Sequence, residues 1–166
     1  MKQKILYLDR DGIINEHIPY VGTLERFHLI KEIHTITNFF YQKGFRIVVV
    51  TNQSGIERGF YSLFDFFKLS QYMIDLFKEH NIDIEIRACP HLPSRGCHCR
   101  KPNIGMLKDL RSENDVFIGD QDTDMIAAKR AGIKNRWLIS KKFESSHATK
   151  NFLSHNSLIE YLYCNI

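Results

Sequence analysis

The chain has 166 residues, is 43% hydrophobic and 25% charged, and carries a net charge of +4. That length suits one domain over residues 1–166 with a substantial core, and no apolar run approaches the ~20 residues that span a bilayer. The positive charge is scattered, so small anionic substrates account for it, and no nucleic-acid or membrane partner is expected.

An apolar run after Lys2 and Lys4 stops at Asp9, too soon for a secretory leader, and a cytoplasmic protein is expected. Strand-like segments follow at residues 4–8, 45–51, 82–88, 116–119 and 136–139. Helix-like segments lie between them. Ile33, Ile36 and Phe40 recur at helical spacing, with Gly44 placed to end that helix. Ser62 and Asp65 signal an N-terminal cap, and Phe66, Leu69, Met73 and Phe77 form one apolar stripe behind it. A helix from about residue 123 to 131 ends at Gly132, and a short one near residues 158–162 packs on the sheet. This alternation predicts an α/β fold, a Rossmann-like three-layer sandwich with a mostly parallel central sheet. About twenty residues separate Gly12 from the next helix, too few for a cap domain. No exposed apolar stripe is evident, so a monomer is expected.

Asp9-Arg10-Asp11-Gly12 ends the first strand, and Thr51 and Asp120 end two others. Ligands of open α/β sheets bind at that edge. Asp9 fits an attacking carboxylate that also ligates Mg²⁺, and Asp11 fits an acid/base whose backbone carbonyl reaches the metal. Asp120 adds a further Mg²⁺ ligand. Thr51, with the backbone N–H groups of Asn52 and Gln53, is placed to donate to phosphoryl oxygens, and Lys101 adds positive charge.

Cys89, His91, Cys97 and Cys99 offer three thiolates and an imidazole within a loop at residues 89–99. Such a set closes a tetrahedral, structural Zn²⁺ site and implies a reducing compartment. His98 lies between two of these cysteines and is an alternative fourth ligand. Cys164 stands apart as an ordinary thiol.

Asp9-Arg10-Asp11-Gly12, Thr51-Asn52, Lys101-Pro102 and Gly119-Asp120-x-x-x-Asp124 together resemble the haloacid dehalogenase superfamily over nearly the whole chain. The stretch from Thr51-Asn52-Gln53-Ser54 to Arg58-Gly59, with the Cys/His loop, resembles a narrower zinc-loop group. That group holds the D-glycero-D-manno-heptose 1,7-bisphosphate 7-phosphatases and the histidinol-phosphate phosphatases. The resemblance implies an aspartyl-phosphate mechanism and favours His91 as the fourth zinc ligand. It implies substrate contacts at Tyr20, Asn52, Gln53, Ser54 and Arg100, and a role for Asp124 in supporting the metal or Lys101. Asp122 is expected to open the following helix.

The heptose substrate ranks first, in nucleotide-heptose synthesis for lipopolysaccharide or another bacterial surface polysaccharide. Histidinol phosphate ranks second and a polynucleotide 3′-phosphate third. The chain departs from the group's usual pattern at Ile13, at His17-Ile18-Pro19 and at Gln121, where a basic residue is common.

Overall fold

The computed structural model describes residues 2–109 and 112–164. Six strands, β1 (Ile5–Leu8), β2 (Arg46–Asn52), β3 (Ile84–Cys89), β4 (Val116–Gly119), β5 (Asn135–Ile139) and β6 (Lys150–Phe152), form one parallel sheet in the order β3-β2-β1-β4-β5-β6. Among the described residues four α-helices accompany it: α1 (Glu32–Gln42), α2 (Leu63–Lys78), α3 (Asp122–Arg130) and α4 (His155–Cys164).

Side chains alternate across the strands because the strand period is two. Leu6, Leu8, Ile47, Val49 and Ile118 face one way and pack with Ile33 and Phe40 of α1, Leu69 and Phe77 of α2, and Leu158 and Leu162 of α4. Tyr7, Val48, Val50, Phe117 and Leu138 face the other way, onto Met125 and Ala128 of α3 and onto Met106 and Leu107. The central strands are therefore apolar on both faces, as a parallel sheet between two layers requires. The Rossmann-like three-layer expectation holds.

Local signals also hold. Asp65 N–H donates to the Ser62 hydroxyl and Ser62 N–H to the Asp65 carboxylate, a reciprocal cap. Gly44 takes a positive φ of 78° just past α1. Asp122 opens α3.

Two expectations need correction. β6 was not read from the sequence, because Lys-Asn-Phe is short and mostly polar; as an edge strand it buries only Phe152. The absence of an exposed apolar stripe is also wrong. Phe60, Leu63, Phe64 and Phe67 are each more than half exposed along the start of α2. Their neighbours Phe66 and Leu69 meet the helical period, which drew the apolar count inward.

The strand order reverses direction between β1 and β4, and this opens a crevice at their C-terminal ends. Behind it, Asp109 ties the segment after β3 to three strands. Its carboxylate accepts hydrogen bonds from Tyr7 Oη at 2.6 Å, Arg46 Nη2 at 2.8 Å and Arg87 Nη1 at 2.6 Å. Hydrogen bonding from Arg87 holds the Asp109 carboxyl well below the usual carboxylate range, against its partial burial. A depressed pKa contributes stability that is full above the unfolded value near ~4 and is lost as pH falls below it. Asp109→Ala should lower the unfolding free energy at neutral pH by about 2–3 kcal/mol. Urea melts should show the gap to wild type closing below about pH 4; a pH-independent gap would assign the effect to packing.

Candidate active site

β1 and β4 deliver Asp9 and Asp120 side by side at the crevice. Asp9 N–H donates to Ile118 O at 3.0 Å, continuing the ladder and fixing where its side chain begins. Lys101 Nζ is buried and bonded to Asp9 Oδ1 at 2.7 Å, Asp124 Oδ1 at 2.7 Å and Val50 O at 2.7 Å. Burial opposes its charge, but Asp124 and Asp9 more than offset this and raise its pKa, so the ammonium stays charged. Asp124 Oδ2 accepts from Gln121 N–H at 3.2 Å, so both Asp124 oxygens are engaged. A Cβ on Gly119 would lie 2.5 Å from that carboxylate, which explains the glycine.

Asp11 is locked differently. Arg10, itself buried, donates through Nη2 to both Asp11 oxygens at 2.9 and 3.0 Å. Asn15 Nδ2 reaches Oδ1 at 3.0 Å and Gln53 Nε2 reaches Oδ2 at 2.9 Å. Gln53 Nε2 also lies 2.8 Å from Thr51 Oγ1, and its Oε1 accepts from Tyr61 Oη. Burial pushes the Tyr61 phenol up to about 12, so it remains a donor. The ring fits only because positions 22 and 55 are glycine: a Cβ would meet it at 2.0 and 2.2 Å.

Burial raises the Asp9 carboxyl above its ordinary range, opposed by Lys101 and aided by Asp124 and Asp11. Burial, then Asp9, raises Asp120 to about 6. Carboxylates crowded in this way are stabilised by a cation. Asp120 Oδ1 is buried without a hydrogen-bond partner, and donor oxygens of Asp9, Asp120 and Asp124 lie within 4.8 Å of one another. Oxygen donors with an unsatisfied buried member suit Mg²⁺.

The sequence-derived residues Asp9, Asp11, Thr51, Lys101, Tyr20, Asn52, Gln53, Ser54 and Arg100 all line one cavity of about 380 Å³. Asp120 lies beside it, next to His17 and Gln121. One expected role is corrected. Gln53 N–H donates to Cys89 O at 2.7 Å and is not free for a phosphoryl oxygen. Asn52 clasps the Lys101 backbone in both directions through its amide, at 3.0 and 3.1 Å. Sequence reading missed Arg58, Tyr61 and His17, which also line the cavity. The Gly22 and Gly55 signals could have pointed to Tyr61, and Arg58 closes the stretch from Thr51 that carries the narrower resemblance; His17 lies on the loop after β1.

Cys89, His91, Cys97 and Cys99 converge. Their sulfurs are 3.1 to 3.5 Å apart, and His91 Nδ1 lies 3.5 Å from Cys89 Sγ and 3.3 Å from Cys99 Sγ. Tetrahedral Zn²⁺ with ~2.3 Å bonds to sulfur has ligand edges of about 3.8 Å, so this cage could hold zinc after slight expansion. His98 is exposed and outside the cluster, and Cys164 is exposed. Cys89 ends β3, and Arg100 Nη1 donates to His91 O at 3.2 Å, so the cage fixes the segment that carries Arg100 and Lys101. Glu57 accepts from Leu92 N–H and from Arg95, joining this loop to the one after β2.

The profile of the family described as polynucleotide kinase 3 phosphatase matches residues 19–160. A D-glycero-alpha-D-manno-heptose-1,7-bisphosphate 7-phosphatase of Campylobacter jejuni is 38% identical over 97% of this chain and 96% of its own length. The chain belongs to the haloacid dehalogenase phosphatases. A D-glycero-beta-D-manno-heptose-1,7-bisphosphate 7-phosphatase of Helicobacter pylori is 39% identical, over 82% of this chain and 83% of that one. A crystal structure of a D,D-heptose 1,7-bisphosphate phosphatase from B. bronchiseptica, complexed with magnesium and phosphate, superposes with a TM-score of 0.85. It is 25% identical and covers 99% of this chain and 100% of the other. The chain is accordingly a phosphatase, on a sheet that other haloacid dehalogenase phosphatases share.

Cys97→Ser opens one corner of the cage. Protein purified with zinc present should lose most of its bound zinc by atomic absorption and melt several degrees lower. Full zinc content in this variant would remove Cys97 from the ligand set.

Proposed function

We propose that this phosphatase removes the 7-phosphate of D-glycero-D-manno-heptose 1,7-bisphosphate, with Mg²⁺ at Asp9, Asp120 and the Asp11 carbonyl. The end-to-end likeness to relatives bearing that name carries the sugar assignment. The setting we infer is cytoplasmic nucleotide-heptose synthesis for lipopolysaccharide or another surface polysaccharide, by one phosphatase domain with a structural zinc loop. Reduced cysteines and the absence of a membrane-crossing helix among the described residues suit that setting.

Bound Mg²⁺ would neutralise the phosphate dianion against the carboxylates and polarise the phosphorus centre. The chain's own residues supply the rest. Lys101 occupies Asp9 Oδ1, which leaves Oδ2 to attack phosphorus. As the phosphorus–oxygen bond to the sugar breaks, a protonated Asp11 gives its proton to the departing oxygen. This leaves phosphate covalently on Asp9. Asp11, now ionised, takes a proton from water as the water attacks phosphorus, which frees inorganic phosphate and Asp9. Arg10, Asn15 and Gln53 hold the ionised Asp11 in one orientation, as it stands when it takes the proton from water.

Specificity follows from the cavity rim. Arg58 and Arg100 both line it, and neither has a carboxylate partner among the described residues. Arg58 lies over the Tyr20 ring, 5.7 Å from its centroid, and Tyr20 packs edge-on against Phe60. Two guanidinium groups beyond the reaction centre suit a second phosphate on the same substrate. The matching family profile favours a second reading, a polynucleotide 3′-phosphatase.

Phosphate release with Mg²⁺ should be compared for both heptose bisphosphate anomers, histidinol phosphate and a 3′-phosphorylated oligonucleotide. A preference of about a hundredfold in kcat/KM for one heptose anomer, near 3 kcal/mol, is expected. Preference for histidinol phosphate or the oligonucleotide would overturn the sugar reading and leave the chemistry standing. Asp9→Asn should abolish turnover of every substrate, and substantial residual activity would sink the nucleophile assignment. Arg58→Ala and Arg100→Ala should each raise KM for the bisphosphate about tenfold or more while changing an aryl phosphate little. Equal effects on both substrates would mean that the arginines shape the pocket without gripping a second phosphate.

A further inference from the structure

Asp120 is the candidate cation ligand whose two oxygens are treated most unequally. Oδ2 sits above Gly12, where a Cβ would approach it to 2.2 Å, and it receives two side chains. His17 Nδ1 lies 2.9 Å away and Gln121 Nε2 lies 3.0 Å away. Oδ1 is buried and receives nothing.

We propose that His17 and Gln121 are a positioning pair, clamping Oδ2 of Asp120 so that Oδ1 is kept for a divalent cation. The inference rests on the magnesium reading above and assigns two residues that reading leaves unused. A carboxylate in water rotates about its last bond and presents either oxygen. Two donors fixed on one oxygen end that rotation before any cation arrives, and metal affinity depends strongly on such outer partners. An ionised carboxylate only accepts hydrogen bonds, so His17 Nδ1 is the donor in this contact.

The chemistry of position 121 supports the same role. A basic residue there would donate to Asp120 but place a positive charge beside the cation. Glutamine donates without charge. Its backbone N–H meanwhile holds Asp124, so one residue sets both carboxylates that follow β4. His17 lies 103 positions before the Asp120 it clamps, and the contact ties the loop after β1 to the start of α3.

The test is Mg²⁺ titration by calorimetry at pH 8 on wild type, His17→Ala, Gln121→Leu and the double variant. Melting without divalent cation should accompany each, to separate folding from binding. The double variant should bind Mg²⁺ at least tenfold more weakly. His17→Asn, which restores a side-chain N–H donor, should recover most of the loss from His17→Ala. Unchanged Mg²⁺ affinity in variants that fold overturns the proposal. Tighter binding overturns it too, because His17 would then compete with the cation. Lack of recovery by His17→Asn would reduce the residue to loop packing. Wild type that binds no Mg²⁺ would refute the magnesium reading itself, an outcome distinct from the others.

Discussion

The buried ammonium of Lys101 is the constraint around which the site is arranged. It touches Asp9, Asp124 and a β2 carbonyl at hydrogen-bond distance, and it is almost completely removed from water. A charge in that position survives only with its partners; stripping one away leaves an uncompensated buried ion, a cost of about 3–5 kcal/mol. Position is therefore demanded of everything that delivers it. Asn52 grips its backbone from β2, and the preceding loop, which has little apolar content of its own, brings Cys89, His91, Cys97 and Cys99 together.

Lys101 cannot balance the site alone. Four carboxylates gather at the crevice, of which Asp11 is matched by Arg10 and Asp124 by Lys101. Asp9 shares Lys101, and Asp120 keeps one buried oxygen without a partner. The excess of negative charge disfavours an incoming phosphate unless a divalent cation intervenes. The same electrostatic imbalance that would destabilise the fold suits a divalent cation in the site, as the proposed chemistry requires.

The surroundings divide into a rigid base and a selective rim. The base consists of strand ends and the hydrogen-bond chain Tyr61–Gln53–Asp11, held where Gly22 and Gly55 leave room for a ring. The rim consists of loops: Tyr20 at a positive φ of 57°, Arg58, Phe60 and Arg100. Reaction type belongs to the base, where geometry is fixed by the sheet. On the proposed reading substrate choice belongs to the rim, where a few side chains can change without disturbing the ladder. The exposed apolar start of α2 continues from that rim, beside Phe60.

The sequence by itself determined the apolar strand runs, the capped helix at Ser62, and the residue types at Asp9, Asp11, Thr51, Asp120 and the Cys/His loop. These are local signals: periodicity, capping and short ligand spacing are written within a few residues of one another. It also placed the motifs at strand ends, which sufficed for a parallel α/β fold and a phosphatase site. Tertiary structure alone decided the edge strand β6, the exposure of the α2 stripe and the engagement of Gln53 N–H by Cys89. It alone brought Tyr61, Arg58 and His17 to the cavity and left Asp120 with one bound and one bare oxygen. Each of those depends on which distant loops meet over the crevice, and a meeting between positions as far apart as His17 and Asp120 leaves no mark on the local pattern of either.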